Sequence, residues 1–196
     1  RNQKWKPLNV SKDYFNAKAD TWDEEATEKD TSKLQVMISR LYIKPGATLL
    51  DLGTGTGVLM PFLVQAVGPN GQVIGLDYAK LMLKKAIAKS IRLSIIDQLS
   101  FLLADVGYLP LMSGRFDTVV SYSSFPHFHR KPQVLAEIYR VLKIQGRIFI
   151  CHTSGRELIN HIHAEIPLFV HDLLPEKAEM EGLLVSYLVF PLERGI

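Results

Sequence analysis

The chain has 196 residues, enough for one domain with a substantial core, and its 47% hydrophobic and 22% charged content is that of an ordinary globular protein. A net charge of only +3 is too small to mark a polyanion-binding protein, and no apolar run approaches the roughly 20 residues needed to cross a bilayer. Cys151 is the single cysteine, which excludes an internal disulfide and makes a reducing cytoplasm the default.

The opening RNQKWKPLNV has no apolar stretch of secretory type, so no export signal is expected; a start at Arg1 is expected of a trimmed chain. YFNAKADTWDEE carries the aromatics Tyr14, Phe15 and Trp22, which either form a lid or staple an N-terminal helix, and it runs into the acidic stretch of residues 20–30. Thr31 and Ser32 can cap a helix in which Leu34, Met37, Ile38 and Leu41 recur at helical spacing. Lys44-Pro45-Gly46 then breaks the chain, and residues 47–52 read as a buried strand.

DLGTGTGVLM (51–60) follows, with three glycines in five positions. Such a turn lets backbone approach a ligand closely. Pro61 is tolerable only in a helix's first turn, so the next helix is expected to start near Gly57 with its amides facing the strand's end. Gly68-Pro69-Asn70-Gly71 is a turn, and residues 72–76 are a second strand. Leu83, Ile87 and Ile91 form the expected apolar stripe of the next helix, with Lys80, Lys84, Lys85, Lys89 and Arg92 as its solvated face rather than a nucleic-acid surface. Strands are expected at 100–103, 116–121 and 147–151, with a helix marked by Val134, Leu135, Ile138, Val141 and Leu142 before the last.

Strands and helices alternate, and the strands are apolar on both faces. That predicts an α/β, Rossmann-like doubly wound, mostly parallel sheet with helices on both faces. Beyond His152, a helix from Gly155 puts Arg156, Asn160 and His163 on one face. A further helix is expected over 176–184 and a sixth strand over 184–190. That strand is too apolar for a bare edge, so another strand or a partner should cover it, which leaves a homodimer open.

In such a sheet, ligands bind at the carboxyl ends of the strands. Those ends carry Asp51, Asp77, Asp105 and Ser121. Gly53, Gly55 and Gly57 do not meet the G-x-G-x-x-G spacing of a dinucleotide site, a carboxylate beside the cradle repels pyrophosphate, and no Gly-Lys-Ser/Thr follows as in a P-loop. The ligand should instead lack phosphate and offer hydroxyls, amines and positive charge. S-adenosylmethionine has all of these. LLDLGTGTGVL, VIGLDYAKLML, LLADVGYLPLMSGRFDTVVS and LAEIYRVLKIQGRIFI, in this order, resemble the successive motifs of class I S-adenosylmethionine-dependent methyltransferases. The likeness runs from about Tyr14 to His152 and is strongest to the small-molecule branch with the ubiquinone and menaquinone C-methyltransferases.

The resemblance implies that Asp51, Gly53, Thr54 and Gly55 surround the methionine moiety. It places Asp77 on the ribose hydroxyls, Tyr78 beside the adenine, Asp105 on the adenine amine, Val106 on its ring, and Ser121 beneath the sulfonium. The plainer readings are a helix cap for Asp51 and Asp77 and a local turn for Asp105. Two features depart from the family: Leu142-Lys143-Ile144-Gln145-Gly146 replaces its usual turn, expected as a changed surface turn, and Gly182-Leu183-Leu184 leads into one apolar strand where two antiparallel strands are usual. The C-terminal antiparallel strands are therefore expected to be incomplete.

Residues 1–30 are read as a lead-in or lid, and residues 31–196 as one cofactor-binding domain. The acceptor class is narrowed by what the sequence lacks, since residues 121–128 (SYSSFPHF) carry no Pro-Pro-aromatic stretch of amino-methylating nucleic-acid enzymes, and Cys151 is misplaced for a cytosine-modifying nucleophile. A small-molecule acceptor, no nucleic acid and no membrane span are expected. All six histidines lie beyond residue 126; His127, His152 and His163 are candidates to bind or deprotonate the acceptor, His127 foremost. The alternatives are ordinary loop histidines or a metal site, for which no ligand spacing speaks, so none is expected. A cofactor-binding protein without turnover and a nicotinamide-dependent oxidoreductase are the rival functions.

Overall fold

The computed structural model describes residues 8–25 and 31–185. β1 (Thr48–Leu52), β2 (Gln72–Asp77), β3 (Leu99–Leu103), β4 (Phe116–Tyr122) and β5 (Leu142–Cys151) form one sheet in the order β3-β2-β1-β4-β5. Every pairing is parallel. The helices are α1 (Leu8–Lys18), α2 (Trp22–Glu25), α3 (Thr31–Ser39), α4 (Met60–Val67), α5 (Lys80–Arg92), α6 (Lys131–Val141), α7 (Arg156–Glu165) and α8 (Lys177–Leu184).

Successive strand residues point to opposite faces, and both faces are covered. Leu49, Val73 and Val120 pack against Leu34 and Ile38 of α3 and Leu63 and Val67 of α4. Leu50, Ile74 and Val119 pack against Leu135 and Ile138 of α6, with Met180 of α8 beside them. Each aliphatic side chain fully buried in these layers contributes about 1.5–3 kcal/mol. The chain steps outward from β1 to β3, then returns to place β4 on the other side of β1. The carboxyl ends of β1 and β4 therefore part there, opening the crevice in which doubly wound sheets hold ligands.

Three local expectations need correction. Residues 55–59 form turns, and α4 starts at Met60 rather than near Gly57, with Pro61 in its first turn as the missing N–H requires. The buried face of α5 is Met82, Leu83, Ala86 and Ser90, whereas Ile87 and Ile91 are 37% and 58% exposed. The cause is Gly57: a Cβ there would lie 3.0 Å from that of Ala86, so α5 turns its small residues inward to lie close under the glycine turn. The Lys143–Gly146 segment is no separate surface turn but a register shift within β5, with Ile144 exposed and Gln145 in the left-handed region. The expected strand over 184–190 lies, beyond Val185, outside the described residues, and Leu184 belongs to α8. Among the described residues no helix is long and apolar enough to cross a membrane.

Candidate functional site

Asp51 and Asp77 stand at the ends of the two central strands and are almost wholly buried. The carboxylate of Asp77 organises the glycine turn: Oδ2 accepts from the Gly55 amide at 2.9 Å and Oδ1 from the Ala79 amide at 2.8 Å, at the start of α5. A carboxylate offers about four lone-pair positions, more than these backbone amides fill, so acceptor capacity remains for a ligand. Burial pushes Asp77 above the usual carboxylate range, while the amides of Ala79, Gly55 and Tyr78 oppose the rise. Burial pushes Asp51 up to about 7; the Thr54 hydroxyl draws it partly back without full hydrogen-bond geometry, and the Asp77 charge adds to the rise. Two buried acids side by side make a site that gains from a bound cation.

The glycines of the turn divide the work. Gly53 (φ +72°) has its missing side chain filled by protein, since a Cβ would meet Ser124 Cβ at 2.5 Å, whereas at Gly55 (φ +54°) it would meet nothing within 4 Å. Gly55 faces open space at the crevice and leaves room for a ligand. Ser124 donates to the Leu52 carbonyl at 2.7 Å and lies 2.8 Å from Ser121 Oγ. With the Ser124 proton committed, Ser121 is the donor in that second contact. These serines tie the end of β4 to the glycine turn, a role for Ser124 that the sequence did not disclose.

Asp105 lies two residues beyond β3, where its Oδ1 accepts from the Gly107 amide at 2.8 Å. This is the local turn weighed for it, and it leaves the second oxygen for other work. Tyr78 follows Asp77, with its hydroxyl buried opposite Ser11 of α1; neither oxygen has a partner with hydrogen-bond geometry. Burial raises the Tyr78 phenol, the charges of Asp77, Asp172 and Asp105 add to that, and Ser11 opposes it. Thr54 Oγ1 is a third buried, unpaired oxygen. Native proteins leave few buried polar atoms without a partner. Thr54 lies in the glycine turn next to open Gly55 and close to buried Asp51, and Asp77 keeps lone pairs to spare, so the residues present fit a ligand rich in hydroxyls and amines such as S-adenosylmethionine.

The lead-in lies across this crevice. Phe15 of α1 packs on Tyr78, Trp22, His127 and Phe169, with ring centroids 5.4–6.3 Å apart, and Tyr14 meets Phe169 at 4.9 Å. Asp23 accepts from Thr56 Oγ1 at 2.6 Å and pairs with Lys89 at 2.8 Å, while Asp20 pairs with Lys85 at 2.6 Å. Two lysines of the expected solvated face are thus matched by the acidic lead-in.

The three candidate histidines gather at the same rim. His127, in a short 3₁₀ turn after β4, lies 4.7 Å ring to ring from His163 of α7. His152, next after β5, feels the charges of both, and burial drives it down to about 4, so it is neutral at pH 7. Both of its ring nitrogens are buried without partners, and the residue lines a groove of about 460 Å³ together with Ile148, Ile150, Leu174, Met180 and Leu184. His127 Nδ1 meets Asp172 Oδ2 at 3.0 Å, a partner with no motif to announce it. The α7 face of Arg156, Asn160 and His163 holds the strap that carries Asp172: Asn160 makes two bonds to the Leu174 backbone, Arg156 approaches Glu176, and His163 Nδ1 donates to the Asp172 carbonyl. Cys151 is raised to about 11 by burial and the Asp51 charge, so at neutral pH it is no thiolate nucleophile. Among the described residues no group of His, Cys, Asp or Glu is placed to hold a metal ion.

A family model described as a methyltransferase domain matches residues 43–182. The demethylmenaquinone methyltransferase of Lactobacillus johnsonii is 38% identical over 115 residues, 59% of this chain and 47% of that protein. An arsenite methyltransferase of Halobacterium salinarum is 35% identical over 106 residues, 54% of this chain and 27% of that protein. The chain thus spans about half or less of the length of these curated relatives. Among solved structures, a putative methyltransferase of Haloferax volcanii, in complex with the Trm112 methyltransferase activator, superposes with a TM-score of 0.75 at 26% identity, covering 88% of this chain and 75% of that one.

Proposed function

The chain belongs to the S-adenosylmethionine-dependent methyltransferase domain family, and from that membership we propose that it transfers the methyl group of S-adenosylmethionine to a small-molecule acceptor, leaving S-adenosylhomocysteine. The observation that supports this best is the pair of buried acids Asp51 and Asp77 at the strand ends beside open Gly55, with the buried Thr54 hydroxyl unpaired in the same turn. When bound, the cofactor supplies a methyl group already activated by its sulfonium leaving group. Asp51 balances positive charge, Thr54 and Gly55 seat the methionine moiety, and Asp77 with Tyr78 receives the ribose. The free oxygen of Asp105 and the Val106 side chain read the adenine, and Ser121 lines the floor near the methyl.

The chain's contribution beyond binding is to align the acceptor and exclude water. Residues 8–25 act as the lid for this, since Phe15 and Asp23 span from Tyr78 to Thr56 across the crevice. Relatives named for demethylmenaquinone and for arsenite each match part of this chain, which suits one methyl-donor chemistry serving different acceptors. The pairing of Lys85 and Lys89 with Asp20 and Asp23 speaks against a nucleic-acid acceptor, and a cytoplasmic setting follows the single cysteine.

Calorimetric titration with S-adenosylmethionine, S-adenosylhomocysteine and NAD tests the reading. Both adenosyl ligands should bind and NAD should not; the reverse would make the protein a nicotinamide-dependent oxidoreductase. Asp105→Ala should weaken adenosyl binding about tenfold, the worth of one lost charge-assisted hydrogen bond. Unchanged affinity would remove Asp105 from the adenine site.

A further inference from the structure

We propose that Asp172 positions His127 as the group that takes the proton from the methyl acceptor, which assigns the acceptor to molecules whose attacking oxygen or carbon carries a proton that must leave. This rests on the methyltransferase reading and deepens it at the same site.

The geometry begins with the strap. Asp172 is only 8% exposed, and its backbone is fixed from two sides: its amide donates to the Phe169 carbonyl at 2.8 Å, and its carbonyl accepts from His163 Nδ1. Two residues on, Asn160 clasps Leu174. The carboxylate is therefore delivered to His127 by a held backbone rather than by a mobile loop. His127 is held just as firmly. The Lys131 ammonium donates to the carbonyls of Pro126 and Phe128, the residues on either side of it. Phe15 and Phe169 wall the ring on its apolar faces.

The hydrogen bond has a chemical consequence. A carboxylate only accepts, so a neutral His127 bonded to Asp172 carries its hydrogen on Nδ1 and keeps the lone pair on Nε2. That is the form a general base needs, and the carboxylate then stabilises the imidazolium once the proton arrives. The charged and titratable groups facing His127 are Asp172 on the strap, His163 on α7, Lys131 on α6 and His152 after β5. Burial holds His127 below its ordinary range; Asp172 opposes this, and the charges of His163 and Lys131 support it. The imidazole is accordingly unprotonated and ready at neutral pH.

The balance of the step is simple. For a hydroxyl, an oxygen lone pair forms the new bond to the methyl carbon and the O–H pair stays on oxygen; for an acidic C–H, the pair of that bond forms the new one as the proton leaves; in both, the carbon–sulfur pair stays on sulfur. The released proton goes to His127 Nε2 and then to water. A free amine or an existing thiolate has no need of such a base. A hydroxyl, an enol or an acidic C–H does.

Long-range ¹H–¹⁵N NMR of the ligand-free protein is the test. We expect His127 to be protonated at Nδ1, and Asp172→Asn to lower its titration midpoint by about one pH unit. Carbethoxylation of His127 by diethyl pyrocarbonate, mapped on peptides, should be slowed by bound S-adenosylhomocysteine if Nε2 faces the crevice. An Nε2-protonated His127, an unmoved midpoint, or labelling indifferent to S-adenosylhomocysteine that calorimetry shows to be bound would each overturn the proposal. Should Asp172→Asn not fold, the wild-type tautomer still decides. Failure of S-adenosylhomocysteine to bind at all would instead strike the methyltransferase reading beneath it.

Discussion

Asp51 carries a cost that a cationic ligand would remove. Its folded-state pKa of about 7 lies above the ordinary carboxylate value, so the folded protein binds the proton more tightly than the unfolded chain. The contribution of Asp51 to ligand-free stability therefore falls as pH rises from about 4 to 7 and is level beyond. A nearby sulfonium or ammonium favours the carboxylate, and binding near pH 7 should release about half a proton. Calorimetry with S-adenosylmethionine in buffers of different ionisation heat would detect it. Asp51→Asn should abolish that release while raising the ligand-free Tm at pH 8 by about 2–4 °C per kcal/mol recovered. The glycines make a second contrast. Gly53→Ala should cost about 2–4 kcal/mol, from collision with Ser124 and left-handed strain together. Gly55→Ala carries only the strain, about 1–2 kcal/mol, yet should lose affinity for S-adenosylhomocysteine because its methyl enters the crevice; equal effects on denaturation and binding by the two variants would refute this division. The acids and glycines were legible in the sequence because each sits in a motif beside a strand end. Ser124, Ser11 and Asp172 were not, since each acts on a residue distant in the chain and nothing local distinguishes SYSSFPH or HDLLPE from an ordinary loop.

At the scale of elements, the alternation of strands and helices was readable because both faces of the central strands are apolar, which leaves periodicity little ambiguity. The orientation of α5 was not. Leu83, Ile87 and Ile91 obey helical spacing as well as the true inner face does, and only the approach of Gly57 to Ala86 decides between them. Ile87→Lys should accordingly change stability by no more than about 0.5 kcal/mol, whereas Ala86→Leu should cost about 1–3 kcal/mol by pushing α5 off the glycine turn; urea denaturation distinguishes the two. The lead-in teaches the same lesson. The lysines of α5 read as a solvated face and the lead-in only as an acidic stretch, but Asp23 reaches Thr56 and Lys89, and Asp20 reaches Lys85. The charge pattern was visible, yet the pairing was not, because it depends on α1 folding back over α5. The face of α7 was found at the right spacing, and its side chains grip the strap, His163 doing so while it stands at the rim beside His127.

For the molecule as a whole, the strand order sets when the crevice comes into being. β1 and β2 each pair with the next strand along the chain, but Leu49 must also find Thr118, across all of α4, β2, α5 and β3. The glycine turn can form with the early half; the seam it shares with β4 closes only after that long excursion has been made. Distant pairings of this kind tend to form late, because their loop entropy is spent before any contact rewards it. A ligand that needs both sides of the seam has nothing to hold in a half-built chain. At a hundred times its Kd it should add about 2.7 kcal/mol of stability, and almost all of that should appear as unfolding about a hundredfold slower, with the refolding rate unmoved. Stopped-flow chevrons with and without S-adenosylhomocysteine would show a shift of one arm alone. The cofactor, on this timing, acts as a latch on the finished sheet and not as a template for building it.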